Sequence, residues 1–482
     1  MKKVILFFAI IITSSLINSC AVNPVTGKSQ LVLMSEEQEI EMGKEADPQI
    51  VAEYGLYENP ALQQFINTKG QQMAAISHRP NIKYNFKIVD SEVVNAFAIP
   101  GYVYFTRGIM ANFNNEAEFA GVLGHEIGHI TARHTVSQQS KATLGQIGLL
   151  AGMVISPTIA RYGQQASQGL SLLSLKFGRD AERQADELGV EYSTKINYDA
   201  HQMADFFGTL ERLSANSTNQ LPDFLSTHPN PGERMKTVDR LATQIQKKEN
   251  LTNPMVSRNS YLKMIDGLVY GADPKQGFVE NNMFYHPVLK FQFPIPSNWK
   301  TNNSPQSFQM AEADGKALMI LSLAPGKNLQ EATSTVIKNY GLTVVQNDQT
   351  TINGLNVLRV IADQPADQQQ QSAALRTLSY FIAYGDNIYH MIGVTDLNSY
   401  SYYDNIFSNT MSGFKQLTDQ EKINRKPERI KIITATANTT LGEILTIRGT
   451  KDAKKREDIA ILNGMSLKDQ VSKGMMVKTI DK

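Results

Sequence analysis

The sequence predicts an α+β protein: a mainly helical domain with a small sheet over residues 21–250, a helical connector over 251–283, an α+β domain over 284–418 and a small module over 428–482. Three observations carry that prediction. Apolar residues recur at helical spacing through much of the first half, alternating apolar runs dominate from Phe284 onwards, and the texture changes again at Glu428. At 482 residues the chain is long enough for two to four domains. Its net charge is +1, with no basic block of the kind that tracks a phosphate backbone, so nucleic acid is not an expected partner.

Residues 1–20 read as an export signal. Lys2 and Lys3 precede the apolar run Val4 to Ile12, which is too short to span a bilayer comfortably, and Ile17-Asn18-Ser19-Cys20 follows. This end resembles a bacterial lipoprotein signal, with small Ser19 before the cleavage point and Cys20 as the lipidated residue. Cys20 is the only cysteine, so lipidation would leave no thiol and no disulfide despite export. The competing reading is an ordinary secretory signal followed by a chance cysteine.

Next comes the turn-rich tether Asn23-Pro24-Val25-Thr26-Gly27, and then Ser35 with Gln38 three residues on, a capping-box pattern that predicts a helix towards Ala46. Leu62, Phe65, Ile66, Met73 and Ile76 mark a second helix. Tyr84 to Val89 and Ala98 to Thr106 read as strands, with Pro100-Gly101 as a turn. The strand directly before the following helix could offer a free edge to an extended peptide, or simply support that helix. Asn114 or Asn115 caps the helix, whose first turn carries Glu116 and Glu118.

That helix contains His125-Glu126-Ile127-Gly128-His129. One turn apart, both imidazoles can reach a single metal ion, with Glu126 beside them. Two neutral imidazoles and a third ligand leave a zinc position open for water, whose pKa falls towards neutrality, and Glu126 can carry its proton to a leaving amine. A chance match among eight histidines is the bland alternative. His134 points off the ligand face and reads as structural. Residues 142–160 are apolar but broken by Gly145, Gly148, Gly152 and Pro157, which predicts a hairpin or lid over 142–176 rather than a membrane span and leaves membrane contact open. On the next helix, Phe177 to Tyr192, Glu182 and Asp186 stand four apart. Glu182 is placed to be the third zinc ligand and Asp186 to accept a hydrogen bond from the far nitrogen of a ligand histidine; a solvated helix face is the alternative.

Together, HEIGH with ITARH following, the FGRDAERQADELG helix, and Leu225-Ser226-Thr227-His228-Pro229 with Arg234 resemble the gluzincin zinc metallopeptidases of the CAAX prenyl endopeptidase type. NPVTGKSQLVLMSEEQEIEMGKE and NAFAIPGYVYFTRGIM are similar to the soluble bacterial, BepA-like branch, and the resemblance covers roughly residues 21–245. It implies His125, His129 and Glu182 as zinc ligands, Glu126 as catalytic base and Asp186 as the acid behind a ligand histidine. It further implies that His228 can approach the zinc and hold the site closed, and that Arg234 braces the site or stabilises an oxyanion. Tyr102 and Gly178 depart from residues common in the family, and the 34-residue helical repeats that end BepA-like proteins are not visible here.

In the second half, Leu289 to Phe293, Ala317 to Leu323, Leu355 to Ile361, Leu375 to Tyr384 and Ile388 to Val394 read as strands, with helices over Leu329 to Tyr340 and Tyr402 to Gly413. Phe284-Tyr285-His286-Pro287 and the stretch Phe293 to Trp299 resemble a PsbP-like or Mog-like module found after the peptidase in some relatives. No His, Asp and Glu cluster at catalytic spacing appears here, so binding or scaffolding is expected. From Glu428, Ile430 to Ile433, Thr439 to Ile444, Ile459 to Gly464 and Gly474 to Lys478 follow in an order that resembles a degenerate LysM-like βααβ module. Asn438-Thr439-Thr440 stands where that family has Gly-Asp-Thr, which leaves both peptidoglycan binding and a structural cap open.

The expectation is a lipid-anchored metalloendopeptidase holding one Zn2+, on the periplasmic side of a bacterial envelope and anchored at the outer membrane. Its expected substrates are misfolded or unassembled envelope proteins. Two alternatives stand beside it: a latent peptidase serving as an envelope-assembly chaperone or scaffold, and a peptidase aimed at peptidoglycan peptides through the C-terminal module.

Overall fold

The computed structural model describes residues 20–146, 172, 176–216, 223–366 and 373–481. The export signal and nearly all of the lid expected over 142–176 lie outside them.

Both halves of the capping box form: Ser35 Oγ accepts from the Gln38 N–H at 3.2 Å and Gln38 Oε1 from the Ser35 N–H at 2.8 Å. The helix they start, Glu36–Tyr54, continues well past Ala46, through Pro48. After the helix Pro60–Ala74 comes a three-stranded sheet. Its centre is Tyr102–Thr106, parallel to Asn85–Val89 and antiparallel to Ala96–Ile99. The strand closest in sequence to the following helices therefore has no free edge. Pro100-Gly101, with Gly101 at φ 79°, folds Ala96–Ile99 back beside it, and that segment becomes the outer strand.

The helix Glu116–Thr131 is capped by Asn115, whose side chain accepts from the Glu118 N–H, and every residue after Glu116 is buried. It packs against Arg179–Lys195 at glycines: a Cβ on Gly124 would sit 3.0 Å from Gly189, and one on Gly189 would sit 2.9 Å from the Gly121 carbonyl oxygen. That approach brings Glu182 and Asp186 up to the two helix histidines. His201–Asn216 and Pro231–Lys248 complete the helical layer around one apolar core.

The second half is built on a seven-stranded antiparallel sheet, in the order Lys300–Asn303, Ser307–Ala311, Ala317–Leu323, Asn387–Asp396, Leu375–Tyr384, Leu355–Gln364 and Thr343–Ile352. One face buries Met391 and Leu378 against Phe407 of the helix Tyr400–Ser412, and the other buries Phe381 and Ile392 with Val336 of the helix Leu329–Tyr340. Central strands covered on both faces read as nearly continuous apolar runs. The outer strand Thr343–Ile352 does not, because nine of its ten residues lie outside the buried core.

At the C-terminal end, Glu428–Thr434 pairs antiparallel with Met476–Asp481, with the helices Leu441–Ile447 and Ala453–Leu462 between them. Ile430 and Leu462 enter the same apolar core as the helix Glu116–Thr131. Lys478 is fully buried, and its Nζ donates to the carbonyls of Ala111, Phe113 and Leu462 at 2.8 Å each. Among the described residues no helix is long and apolar enough to cross a membrane.

Candidate metal centre

The i, i+4 spacing of His125 and His129 on a buried helix puts their Nε2 atoms 3.0 Å apart. Glu182, one turn into the next packed helix, brings its carboxylate to 3.6 Å from His129 Nε2 and 3.8 Å from His125 Nε2. The turn after the short helix Asp223–Thr227 delivers His228, whose Nδ1 lies 3.3 Å from His125 Nε2 and 2.9 Å from Glu182 Oε1. These four side chains are buried, and one ligand atom from each falls within 4.8 Å of the others, so together they could hold one metal ion.

Supporting groups surround them. Asp186 Oδ1 lies 3.0 Å from His125 Nδ1, the nitrogen facing away from the cluster. Arg234 donates to both Asp186 oxygens, at 2.9 and 2.6 Å, and lies 3.2 Å from Glu182 Oε2. Its guanidinium also stacks on Phe207, 4.3 Å from the ring centre. Phe177 packs against the His129 ring at a centroid distance of 4.1 Å.

The electrostatics follow from burial and pairing. Burial alone would raise Asp186, but Arg234 and the bond to His125 carry it down to about 2. Burial opposes ionisation of Glu182 too, and His228 and Arg234 outweigh it. Burial and then the neighbouring histidines push His129 well down, which favours the neutral ring a metal needs. His228 moves the other way: burial would lower it, yet Glu182 and Glu126 raise it.

The donor set of three imidazoles and one carboxylate suits a borderline-soft divalent ion such as zinc. Glu126 gives a second sign of fit. Its Oε1 is buried with no hydrogen-bond partner among the described residues, 3.8 Å from His228 Nε2, and burial raises its pKa. A buried carboxylate oxygen left unpaired is costly unless something else is meant to sit beside it.

Thus the structure brings His125, Glu126, His129, Glu182, Asp186, His228 and Arg234 together, while Cys20 begins a short strand, Cys20–Val22, paired with Ser29–Leu31. His134, expected to be structural, lies outside the ligand group but touches it. It begins the next helix, but its Nδ1 lies 3.0 Å from His129 Nδ1. Helical bearing alone points it elsewhere, because the helix ends at Thr131 and Arg133 takes φ 58°, which swings His134 back.

A family model, Peptidase family M48, matches residues 60–242. The "Beta-barrel assembly-enhancing protease" of Yersinia pestis is 30% identical over 267 residues, 52% of each chain. The mitochondrial "Metalloendopeptidase OMA1" of Bos taurus is 29% identical over 252 residues, 47% of this chain and 46% of its own. The chain spans about half the length of the curated relatives it matches. The solution structure of cyanobacterial PsbP from Synechocystis matches 28% of this chain and 91% of its own at 12% identity, and its TM-score of 0.22 assigns no fold. Every side chain of the cluster lies inside the segment, residues 60–242, that is similar to peptidase family M48.

Proposed function

We propose that the chain is a zinc metalloendopeptidase in which His125, His129 and Glu182 would hold the ion and His228, beside them, would hold the site closed at rest. The observation that carries this is the convergence of those four buried donors next to a buried glutamate whose oxygen has no partner. When bound, zinc polarises a peptide carbonyl and acidifies a water molecule. Glu126 accepts the proton of the attacking water and delivers it to the leaving amine. Asp186 accepts from His125 Nδ1 and so keeps Nε2 of that ring free for the metal. His228, displaced by substrate, is positioned to donate to the developing oxyanion. The donors of Arg234 are already committed to Asp186, Glu182 and the His228 carbonyl, which supports bracing over direct oxyanion contact.

Substrate class and location belong to the same proposal. Relatives named for β-barrel assembly support unassembled envelope proteins as substrates. The reading of residues 1–20 supports a chain lipidated at Cys20 and held at the outer membrane, facing the periplasm. The domain limits proposed are 21–250, 284–418 and 428–482, with the last a LysM-like module. Its burial against the metal helix supports a structural cap over peptidoglycan binding. Burial of all four donors supports a second reading, a latent peptidase acting as an assembly scaffold.

The test is casein hydrolysis and zinc content for the wild type, Glu126→Gln and His228→Ala. The peptidase reading expects cleavage by the wild type and none by Glu126→Gln with its zinc retained. Cleavage by His228→Ala alone would mark a latent enzyme restrained by its own histidine. Bound zinc without cleavage in any of the three favours the scaffold, and absence of zinc sinks the metal centre.

A further inference from the structure

We infer that the hairpin at residues 20–31 is a working part of the metal centre, acting through His134, Gln184 and Asn23 as positioning residues for His129; this rests on the metal-centre reading above. For His129 to offer Nε2 to a metal, its proton must sit on Nδ1, so Nδ1–H donates to His134 Nδ1 across 3.0 Å. That assignment forces the His134 proton onto Nε2, which lies 3.0 Å from Gln184 Oε1. A carboxamide oxygen can only accept, so the roles agree.

What keeps that oxygen, rather than the amide nitrogen, turned towards His134 is Asn23. Its Oδ1 accepts from the Val25 and Thr26 N–H groups at 2.9 and 3.2 Å, which leaves Nδ2 facing Gln184 Oε1 at 3.4 Å. The same Nδ2 donates to Gln30 Oε1 at 3.1 Å and reaches the Ala132 carbonyl at the end of the metal helix at 3.3 Å, where Gln30 Nε2 also donates at 3.2 Å. The strands Cys20–Val22 and Ser29–Leu31 hold Asn23 and Gln30 in this pose. From Asn23 to His129 every contact pairs a donor with an acceptor, the two Nδ2 protons of Asn23 being shared among three oxygens. Asn23 and His134 are buried, so water is a poor substitute for either.

Without the Gln184 oxygen, the Nε2 proton of His134 loses this acceptor, and the tautomer that puts N–H on Nδ1, facing the N–H of His129 behind the metal ligand, gains weight. Hydrogen-bonding partners behind metal histidines commonly govern affinity by about 10–100-fold. The test is the zinc dissociation constant of the full chain by chelator competition, with melting of the apo chain as the control for folding. Gln184→Leu should bind zinc about tenfold more weakly, and Gln184→Glu, which keeps an acceptor, should restore it. Asn23→Ala should weaken binding in the same direction by less. Because Gln184 is only partly buried, the apo chains should melt together. Unchanged zinc affinity in Gln184→Leu overturns the inference while leaving the metal centre intact. Failure of Gln184→Glu to restore binding also overturns it, by showing that packing rather than an acceptor matters. A wild-type chain that takes up no zinc overturns both readings.

Discussion

The metal-centre core and the seven-stranded sheet bury opposite kinds of side chain. Around the metal helix the interior holds Glu39, Arg79, Asp90, Arg107, Glu118, Glu126, Glu182, Asp186 and Arg234 besides three clustered histidines. Between residues 284 and 414 the described buried polar side chains are Thr377, Ser379, His390, Thr395 and Thr410, none of them a carboxylate, lysine or arginine. Burying a charge costs several kcal/mol unless it is paired and hydrogen-bonded. The first region accepts that cost with Arg79 to Glu39, Arg107 to Asp90 and Arg234 to Asp186, each a contact of 3.0 Å or less. Buried charge therefore lies with the metal centre, and the sheet stabilises itself by apolar packing.

The contrast is sharpest at Arg234. Arg234→Met leaves Asp186 and Glu182 buried without their cation and should cost about 3–5 kcal/mol in denaturant unfolding of the apo chain. Zinc affinity should fall with it. An effect below about 1 kcal/mol would mean that the network is not the support described here.

A smaller effect should appear in the sheet. His390 is fully buried, stacked on Phe381 with Nε2 3.0 Å from Ser379 Oγ, and burial pushes its pKa down to about 3. The unfolded chain takes up that proton near pH 6.5, so it binds more protons than the fold below that pH, and stability falls as pH drops. The contribution is intact above pH 6.5 and is lost progressively towards pH 3. Between pH 6.5 and 5 the loss is about 2 kcal/mol. Trp299, the one tryptophan, packs against Tyr403 and Phe407 and reports on this domain by fluorescence. His390→Phe should flatten the Trp299 profile over that range, and a profile unchanged by the substitution would assign the pH dependence elsewhere.

Much of the metal centre could be read from the sequence because it obeys helical geometry: His125, Glu126 and His129 share one turn, and Glu182 and Asp186 share another. The strands Ala317–Leu323 and Leu375–Tyr384 and the helix Leu329–Tyr340 were legible to the residue, since burial on both faces of the strands and along one stripe of the helix leaves strong apolar patterns. What escaped was long-range polar pairing. Gln184 lies 161 residues from Asn23 and 50 from His134, and no local period signals such a contact. Thr343–Ile352 escaped because an exposed outer strand needs no apolar alternation. Lys478 escaped because a lysine in a strand normally reads as solvated, whereas three carbonyls here draw it inside.

That lysine decides which side of the contrast the C-terminal module belongs to. It reaches the carbonyls of Ala111 and Phe113, just ahead of the metal helix, and Arg258 links Asn114 to Met476 through its two terminal nitrogens at 3.3 and 3.2 Å. Ile430 and Leu462 share the metal-centre core. The module should therefore unfold with the metal centre and not by itself. A mild lesion far from that interface tests this. Thr440 caps the helix Leu441–Ile447 in a full capping box with Glu443, and Thr440→Ala should cost about 1 kcal/mol. If module and metal centre form one cooperative unit of roughly 285 residues, heating should release zinc about 2 °C earlier in the variant. The Trp299 signal at low temperature should be unaltered. Zinc release at the wild-type temperature, with a separate early transition by circular dichroism, would make the module an independent appendage and return glycan binding to the leading role for it.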